Sequence, residues 1–120
     1  MTSSKPDELA PNAIVTDRIR QIVLARCLEH NGLSERKVDV ARGDDAPLFG
    51  IDGVLTSLEL VSLIVAVEQE IEDQLGVMVT LADAKAASQR SSPFRTVGAL
   101  VEYAAGRVAE EAGMEAGGHD

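Results

Sequence analysis

Ser57 is placed where a helix begins. It follows Thr56, and Glu59 comes three residues after Thr56, so Thr56-Ser57-Leu58-Glu59 has the pattern of a capping box with Thr56 as N-cap and Glu59 at the third helical position. A hydroxyl there lies beside the partly positive N–H groups of a helix N-terminus, a setting that favours phosphate. The plain structural reading of such a serine is a first-turn or capping residue. Other chemistries lack their parts. The only histidines are His30, at a helix end, and His119, in the C-terminal tail, so neither a Ser-His-Asp arrangement nor a histidine metal site can be assembled. Asp44, Asp45 and Asp52 lack the alternating spacing and closing glutamate of a calcium loop and read as a solvated stretch. No glycine-rich nucleotide loop occurs, and two Phe and one Tyr give no stacking platform for bases. Cys27 sits among Ile22, Val23, Leu24 and Leu28 as a small buried hydrophobe without a base to activate it.

The elements that must position Ser57 follow from the apolar spacing. Val15, Ile19, Ile22, Val23, Cys27 and Leu28 recur with helical period, and Asn31-Gly32 stops that first helix. From Leu33 to Leu55 the period dissolves into a long loop, rich in glycine and aspartate and pinned by Val38, Val40, Leu48, Phe49 and Ile51. The second helix runs from Ser57 to Leu75 and stops at Gly76, with Leu60, Leu63, Ile64, Val67, Ile71 and Leu75 on the core stripe. Leu58, Val61 and Val65 fall on the opposite side with Ser62, Gln69, Glu72 and Asp73, an apolar excess for a surface face. A short helix capped by Thr80 is expected over Thr80 to Ala87, with Leu81 and Ala84 inward, then a linker from Ser88 to Pro93. Thr96 caps a last helix carrying Val97, Leu100, Val101, Ala104 and Val108. The expected fold is all-α: an antiparallel four-helix bundle, three main helices and one short one, over residues 12–112, with tails at 1–11 and 113–120, the latter disordered.

Composition narrows the partners. The 120 residues are 45% hydrophobic and 26% charged, enough for one core, and the single cysteine forms no internal disulfide. Twenty acidic against 11 basic residues give a net charge of −9, which repels nucleic acid and anionic membranes and attracts basic protein surfaces. No run approaches the ~20 apolar residues of a membrane span, nor a signal peptide, so a cytoplasmic protein is expected, and a monomer because its charge repels self-association.

The run Leu48-Phe49-Gly50-Ile51-Asp52-Gly53-Val54-Leu55-Thr56-Ser57-Leu58-Glu59-Leu60-Val61 resembles the attachment segment of acyl carrier proteins, where Gly-x-Leu-Asp-Ser-Leu precedes the second helix. Leu81-Ala82-Asp83 and Phe94-Arg95-Thr96-Val97-Gly98-Ala99-Leu100-Val101-Glu102-Tyr103 are similar to that family's third and fourth helices, including its recurring Thr-Val-Gly. The likeness extends from about Val15 to Tyr103. The loop glycines look closer to discrete carriers, D-alanyl carriers among them, than to multimodular ones. The resemblance implies a non-enzymatic carrier whose Ser57 bears a covalent 4′-phosphopantetheine arm holding acyl or aminoacyl thioesters for fatty acid, polyketide or specialised lipid biosynthesis. It implies a phosphopantetheinyl transferase, a loading ligase and a downstream synthase or transferase as partners. Leu58, Val61 and Val65 would form a docking strip, with Glu59, Glu68, Glu72 and Asp73 steering basic partners. Packing of that strip against the 33–55 loop is the competing reading. Thr56 stands where the family has aspartate. It keeps the helix cap but drops a negative charge that helps the transferase and its metal engage, which opens a second reading: a carrier-fold interaction module without the arm.

Overall fold

In the computed structural model, which describes residues 11–50, 52–82 and 93–112, three α-helices carry the fold: α1 (Pro11–Asn31), α2 (Ser57–Leu75) and α3 (Val97–Ala112). α2 and α3 are amphipathic, each helix needs a partner to keep its apolar side chains from water, and α1 packs against both α2 and α3. The shared core takes Ile19, Ile22, Val23 and Cys27 from α1, the Leu60-to-Ile71 stripe from α2, and Val97, Leu100, Val101, Ala104 and Val108 from α3. The fold is therefore an all-α bundle, and the only extended pairing among the described residues is one isolated bridge between Pro47 and Thr96.

The segment joining α1 to α2 is a loop that carries its own 3-10 turn, Val40–Asp45, where sequence spacing showed no helical period. Tertiary bonds shape this turn. Asn31, at the end of α1, grips Val38 from both sides: its Nδ2 donates to the Val38 carbonyl and its Oδ1 accepts the Val38 N–H, both at 2.8 Å. The Arg20 guanidinium donates to both carboxylate oxygens of Asp44, at 2.9 and 3.2 Å. Beyond the turn the loop pairs with the chain entering α3, the Leu48 N–H donating to the Arg95 carbonyl and the Val97 N–H to the Ala46 carbonyl. Val38, Ala46, Leu48 and Leu55 are thereby buried in the same core.

Gly98 explains how closely α3 approaches this loop. A Cβ at position 98 would lie 2.8 Å from the Cβ of Asp44, closer than real side-chain carbons come. The Thr96 hydroxyl accepts the Ala99 N–H at 3.1 Å, capping α3 as its sequence predicts, and the helix runs through Gly106 to Ala112.

Two expectations about the chain's second half and ends need qualification. Thr80–Ala82 are not helical, and the rest of the short helix expected over Thr80 to Ala87 lies outside the described residues. Leu81 is fully buried, as its inward placement required. Of the expected tails, α1 already includes Pro11, and residues 1–10 and 113–120 lie outside the described residues, as do 88–92 of the linker.

Candidate functional site at the start of α2

The approach to Ser57 is built by a tight turn. The Gly53 N–H donates to the Gly50 carbonyl at 3.0 Å, and the Val54 and Leu55 N–H groups both donate to the Leu48 carbonyl. Gly53 packs directly on the Phe49 backbone, where a Cβ would fall 2.4 Å from the Phe49 Cα. Arg36 closes the turn from outside, its Nη2 donating to the Gly53 carbonyl at 3.1 Å.

From this turn the chain enters α2 through the capping box that the sequence predicts. The Glu59 N–H donates to the Thr56 hydroxyl at 3.1 Å, and the Thr56 N–H donates to the Glu59 carboxylate at 2.9 Å. That bond from the Thr56 backbone holds the Glu59 carboxyl below the usual carboxylate range, and the nearby charges of His30 and Arg36 act in the same direction. Ser57 is the first residue of α2 and is exposed, beside the N–H groups that a helix cannot satisfy internally. Its hydroxyl is therefore open to solvent, and the turn that carries it is held on both sides.

The strip next to Ser57 stands free. Leu58 is 76% exposed, Val61 47% and Val65 38%, so the 33–55 loop does not cover them; Val38, Leu48 and Leu55 of that loop turn to the core instead. Glu72 and Asp73 are exposed further along α2. Glu68 is only half-exposed, and its carboxylate accepts the backbone N–H groups of Leu81 and Ala82, so it is engaged within the fold. Spacing along α2 could not reveal this, because the donors lie on a different segment. His30 and Arg36, which lie near Glu59 from α1 and the loop, also had no local signal.

Cys27 is fully buried, and desolvation pushes its thiol up to about 12, which removes it as a nucleophile near neutral pH. Among the described residues no polar or charged side chain is buried, and no three His, Cys, Asp or Glu side chains are grouped to hold a metal ion. Among the described residues no helix is long and apolar enough to cross a membrane. Comparison with protein-family models, curated proteins and solved structures finds no match.

Proposed function

We propose that this chain is a carrier that holds acyl or aminoacyl groups as thioesters on a 4′-phosphopantetheine arm attached to Ser57, and presents them to biosynthetic enzymes. The observation that carries this reading is an exposed serine on the first turn of a capped helix whose adjoining face is apolar and free. Exposure of Ser57 lets a transferase reach its oxygen, which would take the phosphopantetheinyl group from coenzyme A by breaking its diphosphate bond, lose its proton, release adenosine 3′,5′-bisphosphate and become the ester oxygen of a phosphodiester. The unpaired N–H groups of the first turn of α2 favour the resulting negative charge. When attached, the arm supplies the thiol on which the load is held.

The remaining residues have roles in recognition. Leu58, Val61 and Val65 offer a small apolar contact of the kind an interface core needs, rimmed by Glu59, Glu72 and Asp73. With a net charge of −9, attraction to basic partner surfaces raises encounter rates at low salt.

A second reading keeps the docking face and discards the arm. Thr56 motivates it, because the neutral side chain leaves the serine without a neighbouring carboxylate before the helix. Incubation with a broad-specificity phosphopantetheinyl transferase and its donor, followed by peptide mapping, separates the two. Modification confined to the peptide containing Ser57 supports the carrier; an unmodified peptide with several transferases supports the arm-free module.

A further inference from the structure

A groove of about 330 Å³ separates the C-terminal end of α1 from the N-terminal half of α2. We propose that Arg26, His30, Leu33, Leu58, Leu63 and Ala66, which line it, form a resting site for the arm on Ser57 and a short load, an inference that rests on the carrier reading above.

Position is the first argument. The wall starts with Leu58 and Glu59, directly after Ser57, so anything tethered to the serine meets the groove at an effective concentration of about 1 mM without any free ligand. A weak groove is then substantially occupied.

Size and lining set the occupant. Ligand sites usually hold about 300–1,000 Å³, so a groove at the lower end suits the end of the arm with a short group and not a long fatty chain. Its floor is Leu63 and Ala66, while Leu33 and Leu58 stand at its rim 88% and 76% exposed. Two large apolar side chains left that free on opposite sides of one groove are unpartnered surface, and an apolar occupant covers both.

The polar wall adds an independent observation. Arg26 Nε and His30 Nε2 are sealed from solvent and have no hydrogen-bond partner among the described residues. Unpaired buried nitrogens are rare in folded proteins. Arg26 is anchored at its other end, where Nη1 pairs with Glu29 at 3.1 Å, so its Nε–H needs an acceptor from elsewhere. Both side chains line the groove, and the amides of pantetheine supply carbonyl acceptors for Arg26 and either hydrogen-bonding partner for His30.

The test uses the full chain, modified by a transferase and loaded with a butyryl group. Amide NMR shifts between the unmodified and loaded forms should concentrate at Leu33, Ser62 and Ala66, and hydroxylamine should cleave the thioester on the order of threefold more slowly than free butyryl-pantetheine, as partial occupancy at millimolar effective concentration requires. Ala66→Phe, which fills the groove, should gain the same mass and lose the protection. Leu33→Asp should do the same; its exposed position keeps the test open if Ala66→Phe does not fold. Modified protein with shifts confined to Ser57 and its neighbours, or shifts on the Val79-to-Leu81 side, or no protection, overturns the groove and leaves the carrier reading standing. Failure of Ser57 to gain the arm overturns both.

Discussion

The carboxylate of Glu68, midway along α2, accepts the backbone N–H of Leu81, a residue 13 positions further on, and that of Ala82 as well. Leu81 is fully buried, so this bond fixes the chain leaving α2 against the same helix that carries Ser57. A charged hydrogen bond of this kind contributes about 2 kcal/mol, and removing it strands the donors. Glu68→Ala is therefore expected to lower stability by about 2 kcal/mol in urea denaturation, with Glu68→Gln recovering part of the loss because its carbonyl still accepts. Equal stability of wild type and Glu68→Ala would show that the strap carries no weight.

Two glycines of α3 make a paired prediction. Alanine regains about 1 kcal/mol of helix propensity at either position. At Gly106 nothing lies within 4 Å of the added carbon, so Gly106→Ala should raise the denaturation midpoint. At Gly98 the carbon would press on Asp44, which Arg20 holds in place, and overpacking costs about 1–3 kcal/mol. Gly98→Ala should lower the midpoint; a rise in both variants would mean that the loop yields freely.

The parts of this fold that were legible in the sequence are those fixed by neighbours in the chain. Thr56 and Glu59 are three residues apart and cap each other, and the Leu60-to-Ile71 stripe is set by helical period alone. The 3-10 turn at Val40–Asp45 was hidden because its shape depends on Arg20 and on the α3 segment, far away in sequence. Glu68 had the spacing of a surface acid, and only the fold brings Leu81 to it. Periodicity put Val61 and Val65 opposite the core but could not say whether the long loop covers that face; the burial of Leu48 and Leu55 elsewhere leaves it open. The groove behind Leu58 required the placement of α1 against α2.

The capping box should leave a signature in acid. Because the folded Glu59 carboxyl titrates below the usual carboxylate range, its contribution to stability is full above the unfolded glutamate value, about 4.3, and is lost as pH falls through the lower folded value. Glu59→Gln keeps an acceptor for the Thr56 N–H but carries no charge. It should be less stable than wild type at neutral pH, with the difference closing below about pH 4. A difference that persists unchanged into strong acid would rule out the charge as its source.

On the free strip, Val61→Asp and Val65→Asp replace exposed side chains, so each should change stability by no more than about 0.5 kcal/mol. Both should slow loading of the arm by a partner ligase, through loss of apolar contact and repulsion within an already acidic surface. Normal loading in both variants would remove the strip from the docking surface.

Attachment to Ser57 is the central claim, and intact mass with one transferase at fixed salt tests it most directly, since surface electrostatics are screened by ions. Wild type should gain the mass of one phosphopantetheinyl group. Ser57→Ala should gain none yet stay folded, because the helix cap resides in Thr56 and Glu59. Thr56→Asp, which also caps and adds negative charge before the serine, should be labelled faster than wild type. Equal mass gain by wild type and Ser57→Ala would contradict the account by placing the attachment elsewhere, and labelling of Thr56→Asp alone would show that the natural chain keeps the carrier fold without its chemistry.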